Sequence, residues 1–225
     1  MQQNYKVNEL FQTIQGEGFY TCVPAIFVRL QGCDVGCAWC DTKNTWEIDP
    51  DKQSPLRELS DHSDQSSRWA DASAQGIIDE IKRLGYTARL VVITGGEPCM
   101  VDLRELTTLL HDNHFLTQIE TSGTYPILTD KRTWVTLSPK VAMRGGKVVL
   151  QSALERADEI KHPVAREKDI EQLDALLAQL PSLENKTICL QPISQKASAT
   201  ELCSRVCIAR NWRLSVQVHK YLGID

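Results

Sequence analysis

At 225 residues the chain is long enough to bury a sizeable core and stands at the upper end of a single domain. Its 42% hydrophobic and 24% charged residues are those of an ordinary globular protein, not of a disordered or fibrous one. A formal net charge of −4 with no basic cluster disfavours direct nucleic-acid binding, and no apolar run reaches the roughly 18 residues of a membrane span. The N-terminus lacks the charged-then-apolar order of a signal peptide, so the expected location is the cytoplasm. In that compartment the eight cysteines are expected as reduced thiols and metal ligands, not disulfides.

In chain order, Tyr5 to Thr13 alternates loosely as a strand and runs into Gln15-Gly16-Glu17-Gly18, whose glycines mark a tight loop. By itself that tetrapeptide reads as a turn. It also holds an amide and a carboxylate that could hydrogen-bond a nitrogen-rich heterocycle. Ala25 to Leu30 is an apolar strand with one charge inside it, Arg29. A buried guanidinium needs an anion, either a structural carboxylate or that of a substrate, and the position just before the next motif favours the substrate.

That motif is Gly32 to Thr42, which sets Cys33, Cys37 and Cys40 at C-x3-C-x2-C spacing on a short glycine-containing turn. Three thiolates directed at one centre suit a 4Fe–4S cube with one iron left open, whereas structural zinc takes a fourth protein ligand. Trp39 adds an aromatic wall. The alternatives are three buried thiols, or half a zinc site completed by Cys22 or Cys99. Cys203 and Cys207 share a helix face and read as core packing.

Residues 47–73 change character, being rich in Asp, Ser and Gln, and are expected to form an insertion outside the catalytic scaffold. With only Leu56, Leu59 and Trp69 to seal a site, the segment reads as an external surface for a protein partner, not as a lid. From Ala74 a helix carries Ile77, Ile78, Ile81 and Leu84 on one face and stops at Gly85. The strand Arg89 to Ile93 ends in Thr94-Gly95-Gly96-Glu97-Pro98, where paired glycines let backbone carbonyls approach a ligand. A helix with a capping-box-like start at Asp102 and Glu105 follows. Strands at 115–120 and 134–137 end in Glu120-Thr121-Ser122 and Ser138-Pro139-Lys140. Next come a helix over 149–156, a strand over 159–161, a helix over 170–180 and a strand over 187–190. A last helix over 199–210 leads to a strand over 214–218. This alternation predicts one α/β domain with a parallel sheet and no internal repeat. The polar clusters at the strand ends, with Gln191 and His219, fall on the rim where such folds bind ligands.

C-x3-C-x-aromatic-C resembles the signature of the radical S-adenosylmethionine (SAM) enzymes. With Gln15-Gly16-Glu17-Gly18 upstream and Cys40-Asp41-Thr42 downstream, nearly the whole chain resembles the 7-carboxy-7-deazaguanine synthases of the queuosine pathway. The resemblance implies a partial (β/α) barrel, a homodimer, a 4Fe–4S cluster on Cys33, Cys37 and Cys40, and an electron donor such as a flavodoxin. It implies SAM held by Trp39, Cys40, Asp41, Gly96, Glu97, Ser122 and Ser138-Pro139-Lys140. A carboxytetrahydropterin substrate would meet Ile14, Gln15, Gly16, Glu17, Arg29, Thr94 and His219, with Gln191 as a weaker candidate. Thr42 would be the one protein ligand of a Mg2+ ion. No side chain is implied as a catalytic acid or base, since the cofactor carries the chemistry. Two rival readings are an activase for a glycyl-radical enzyme and a non-enzymatic zinc module.

Overall fold

The computed structural model describes residues 3–59 and 66–224. Nine strands form one sheet in the order β3-β1-β2-β4-β5-β6-β7-β8-β9. They are β1 (Asn4–Ile14), β2 (Pro24–Leu30), β3 (Ala70–Ser73), β4 (Leu90–Gly95), β5 (Leu116–Thr121), β6 (Trp134–Leu137), β7 (Glu159–Val164), β8 (Thr187–Pro192) and β9 (Arg213–Leu214). β1 runs antiparallel to both β2 and β3, and every pairing from β2–β4 onward is parallel. Every parallel crossover but β5–β6 carries a helix, namely α1 (Ala74–Arg83), α2 (Arg104–Asp112), α3 (Gln151–Arg156), α4 (Glu167–Leu177) and α5 (Ala197–Arg210), and α6 (Val218–Leu222) follows β9.

The two faces of the sheet differ in chemistry because side chains alternate along each strand. Ile26, Val28, Ile93, Ile119, Val135 and Ile160 point to the helices and meet Ile77, Ile81, Leu106, Leu110, Leu154 and Leu173 in one core. Cys203 and Cys207 are buried in that same core. Among the described residues the opposite face has a much smaller apolar cluster, Ala25, Leu90 and Val92 with Tyr20 and Phe27 against it, and Gln118, Thr136, Glu159 and Lys161 are buried beyond it. Buried polar groups need partners. This face therefore has to be organised by hydrogen bonds, and it carries the cavity.

The sheet is strongly curled. β1 and β7 stand five strand intervals apart, roughly 24 Å in a flat sheet. Yet Glu17, just past β1, bonds Lys161 of β7 at 2.6 Å, and the Gly18 amide donates to Ser215 beyond β9 at 2.9 Å. Among the described residues β3 and β9 have no outer strand partner, so the barrel is partial and open. Its lower side is plugged by Phe19, stacked on Trp134 with centroids 4.4 Å apart, while the Phe19 amide donates to Glu159.

Three expectations change. The strand expected over 214–218 is only Arg213–Leu214, because Val218 N–H bonds the Gly16 carbonyl and the chain turns into α6. His219 is therefore helical. At α2 there is no capping box: Asp102 accepts from the Arg104 amide and guanidinium, and Leu103 is the cap position without a side-chain bond. α4 starts at Glu167, where Asp169 accepts from the Ala165 and Arg166 amides.

Of the segment over 47–73, residues 60–65 lie outside the described residues. Its last four residues, Ala70–Ser73, are the edge strand β3. Leu59 and Trp69 are buried, and the Trp69 indole N–H donates to the Asp49 carbonyl. Its few large apolar residues thus anchor the segment at the sheet edge.

Candidate active site

A cavity of about 240 Å3 opens at the carboxyl ends of the strands, bordered by the cysteine loop, the β4 and β5 loops, and residues of β7, β8 and α6. Cys33, Cys37 and Cys40 all border it. The loop that carries them is held by its own backbone: Gly32 and Cys33 amides donate to the Thr45 and Trp46 carbonyls at 2.7 and 3.0 Å. Gln31, buried beneath, donates to the Asn44 and Glu47 carbonyls. The Trp46 indole N–H points at Cys40 Sγ, 3.4 Å away. Burial raises Cys33 to about 11 and raises Cys37 as well, so metal coordination has to draw off the protons.

The donor set fits an iron–sulfur cluster. Cys22 and Cys99, the two thiols that could complete a zinc site, do not border the cavity. Among the described residues no three His, Cys, Asp or Glu side chains are grouped to hold a single metal ion. Three thiols on one loop at the cavity wall match a cube in which each iron takes its own thiolate.

The glycine pair after β4 has a cause that the sequence did not reveal. A Cβ on Gly96 would lie 2.0 Å from the Gly32 carbonyl oxygen, and one on Gly95, whose φ is +121°, would strike Leu30. Gly96 and Glu97 amides donate to the Leu30 and Gly32 carbonyls, both at 2.8 Å. The glycines thus let this turn dock directly on the cysteine loop. Glu97 ties on the next loop. Its carboxylate accepts from the Cys99 amide, the Thr121 hydroxyl at 2.6 Å, and the Ser122 amide and hydroxyl. Ser138 and Lys140 border the cavity opposite, with Lys140 Nζ donating to Ser138 Oγ at 2.6 Å. Burial lowers the Lys140 ammonium, partly offset by Cys37 nearby.

The floor is ionic. Lys161 Nζ donates to Glu17 Oε2 and Glu120 Oε2, each at 2.6 Å, with only 3% of its side chain exposed. Gln217 donates to Glu17 Oε1 at 2.8 Å, and Gln15 to Glu120 Oε1 at 3.2 Å. Burial opposes the Glu17 charge, but Lys161 and Gln217 outweigh it and pull the carboxyl down to about 2. Glu120 is raised, since burial and the Glu17 charge exceed the help it gets from Lys161. The two carboxylates in turn overcome burial at Lys161 and hold its ammonium above the ordinary range.

Of the expected site residues, Glu17, Cys33, Cys37, Trp39, Cys40, Asp41, Thr94, Gly96, Glu97, Ser122, Ser138, Lys140 and Gln191 border the cavity, whereas Ile14, Gln15, Gly16, Arg29, Thr42, Pro139 and His219 do not. Gln15 sits behind the floor, accepting from the Glu17 amide and bracing Glu120. Arg29 has a structural carboxylate as partner: its Nε lies 2.5 Å from Glu9 Oε2, although it faces Thr94 across β2 and β4. Thr42 Oγ1 lies 3.7 Å from Cys40 Sγ and caps a short 3-10 turn without a side-chain bond. His219 packs on Gly16, whose missing Cβ makes room for the ring. Lys161, Gln217 and Lys220 border the cavity without having been singled out in the sequence. The available signal for Lys161 was a charge inside a strand, as at Arg29, but it stood two residues from Glu159 and so did not stand out.

Comparison with known proteins agrees with this geometry. Residues 14–140 match a family model described as a 4Fe-4S single cluster domain. The 7-carboxy-7-deazaguanine synthase of Escherichia coli (strain K12) is 60% identical over 98% of this chain and 99% of its own. That of Buchnera aphidicola is 45% identical over the same shares. The crystal structure of QueE from Escherichia coli superposes with a TM-score of 0.94 at 59% identity, covering 96% of this chain and 95% of the other.

Proposed function

The chain belongs to the family of 7-carboxy-7-deazaguanine synthases, which are radical SAM enzymes, and on that premise we propose that it acts on a reduced carboxypterin. The reaction is conversion of 6-carboxy-5,6,7,8-tetrahydropterin to 7-carboxy-7-deazaguanine with loss of ammonia, a step toward queuosine. The observation that carries this reading is the meeting of two unlike chemistries at one cavity: three thiols on one wall and a hydrogen-bonding ionic floor. A mononuclear zinc module needs no such floor, and a cavity of about 240 Å3 is matched in size to a small molecule.

Cys33, Cys37 and Cys40 would hold the cluster. Trp39, Asp41, Gly96, Glu97, Ser122 and Ser138-Pro139-Lys140 would hold SAM. When bound, the two together supply the electron and the carbon radical that removes a hydrogen atom from the substrate. The chain's own contribution is placement and exclusion of water. Glu97 fixes the β4 and β5 loops relative to the cysteine loop, so the wall and the floor keep their distance. Ile14 to Glu17, Arg29, Thr94, Gln191 and His219 would surround the pterin. Thr42 would give one hydroxyl to Mg2+, an ion that keeps waters and completes its shell from substrate. A homodimer, a flavodoxin-type electron donor and a cytoplasmic location complete the reading on family resemblance. No described helix is long and apolar enough to cross a membrane. We read the chain as one domain in which residues 47–73 are an insertion with an outward surface for a protein partner.

The test is anaerobic incubation of reconstituted protein with SAM, reductant and the carboxytetrahydropterin, followed by mass analysis. A product that has lost ammonia, formed only when SAM is present, supports the reading. SAM cleavage with the pterin returned unchanged would sink it.

A further inference from the structure

Glu17, Lys161 and Glu120 set a carboxylate oxygen, an ammonium and a second carboxylate oxygen side by side on the cavity floor. An ammonium has three N–H donors. Two are committed to the carboxylates, which leaves one to face the cavity. Each carboxylate oxygen likewise keeps a second lone pair for a ligand. The floor therefore presents the pattern acceptor, donor, acceptor. Its rigidity comes from behind: Gln217 and Gln15 hold the outer carboxylate oxygens. The ion pairs keep Lys161 charged, so the central position is always a donor.

One edge of a pterin matches this pattern, but only when the second ring is reduced at N8. In the tetrahydro and 7,8-dihydro forms the edge reads N8–H, N1, 2-amino, which is donor, acceptor, donor. In the fully oxidised ring N8 has no hydrogen and becomes an acceptor. A fixed carboxylate would then face a lone pair, and the buried acceptor would go unpaired. Sites built to hydrogen-bond a donor reject analogues that lack it far more strongly than apolar pockets reject a missing methylene.

We propose that Lys161 is a specificity-determining residue that, by fixing Glu17 and Glu120 as acceptors on either side of its own donor, selects pterins carrying hydrogen at N8. The inference rests on the carboxypterin reading above and extends it to a residue outside that assignment. Lys161 acts on the substrate edge and has no part in the radical step.

The test is equilibrium binding, measured anaerobically on cluster-reconstituted protein without turnover, of three ligands: 6-carboxytetrahydropterin, 6-carboxy-7,8-dihydropterin and oxidised 6-carboxypterin. The unaltered protein is expected to bind the first two with similar affinity and the third at least about tenfold more weakly. Lys161→Met is expected to bring the three affinities within about threefold of one another, with cluster content unchanged. Because Lys161→Met leaves two carboxylates unpaired and can fail to fold, Glu17→Gln and Glu120→Gln are measured in parallel. The two carboxylates flank Lys161, so one of them faces N8; an amide at that position can turn an N–H toward N8, and in that variant affinity for oxidised relative to reduced ligand should rise about tenfold. The proposal is overturned if the dihydro ligand behaves like the oxidised one, which places the discrimination elsewhere on the ring, if folded Lys161→Met keeps the original ratios, or if both glutamine variants keep them. Failure of the unaltered protein to bind any of the three would instead remove the carboxypterin reading itself.

Discussion

Lys220 of α6 places its ammonium 3.1 Å from the Asp41 carboxylate, one residue past the third cysteine of the loop. The same ammonium donates to Gln217, which donates to Glu17. The C-terminal helix thereby links the cysteine loop to the ionic floor.

How much that link depends on charge and how much on fit can be separated. Both members of the Lys220–Asp41 pair are well exposed, and such pairs contribute about 0–1 kcal/mol. Lys220→Met should therefore change the thermal midpoint little. Gly16→Ala should do more harm, since its Cβ would stand 2.1 Å from His219 Nδ1 and push α6 off the loop. The expected result is at least about tenfold weaker pterin binding with near-normal cluster content, read by titration and iron analysis.

Cys37→Ala should abolish cluster binding and turnover while leaving the far-UV circular dichroism intact. Cys203→Ala, in the core behind the sheet, should keep the brown chromophore and lose only some stability. A Cys37 variant that still cleaves SAM at the original rate would remove the assignment of the cluster.

Arg29 has two candidate anions, and a double variant distinguishes them. Arg29→Met strands the buried Glu9 carboxylate, one oxygen of which already has no partner, and should cost about 3 kcal/mol in denaturant stability. Adding Glu9→Gln should restore most of that. Substrate affinity should stay low in the double variant if Arg29 also grips the substrate carboxylate. Affinity returning with stability would make the arginine purely structural.

Thr42→Ser should keep magnesium stimulation of turnover and Thr42→Val should largely lose it, because only the hydroxyl could ligate the ion. Steady-state rates with and without added Mg2+ decide the matter. Equal stimulation in both variants would leave Thr42 as the cap of the short turn that follows the third cysteine.

His162 is buried on the helix side of β7 with no well-formed hydrogen bond at either ring nitrogen, and burial, only partly offset by the Asp169 backbone, pushes its imidazole down to about 4 from an ordinary 6.5. Between those values the unfolded chain binds a proton that the folded chain does not, so stability falls as pH falls through this window. At full extent the loss is about 3 kcal/mol, and the slope is at most about 1.4 kcal/mol per pH unit. Urea midpoints from pH 7 to pH 5 should therefore drop less for His162→Leu than for the unaltered chain. Parallel pH dependences would acquit this histidine.

What could be read in the sequence was local. The cysteine spacing, the glycine pair and the apolar faces of the helices each depend on residues within a turn or two of one another, and each reappears in the structure. The floor could not be read that way. Lys161 meets Glu17 across 144 residues of chain, and Gln217 meets the same carboxylate across 200. Neither pairing leaves a mark in spacing. At the C-terminus the local signal misled, since Val216 and Val218 favour a strand, but the Gly16 carbonyl captures the backbone at Val218. The glycines were visible as glycines. Their cause, close approach to Gly32 in one case and to His219 in the other, exists only in three dimensions.

From β4 to β9 every strand lies beside its predecessor in the chain, and α6 comes last. During synthesis the growing end can therefore extend the sheet one strand at a time, with nothing inserted between strands already paired. At about 5–20 residues per second, on the order of ten seconds pass between the making of Cys40 and that of Gln217 and Lys220. Through that interval the thiols stand in an unfinished trough, reachable by whatever delivers iron and sulfide. Gln217 and Lys220, which link this loop to the floor, are made after all nine strands, so order of synthesis favours metal loading before closure.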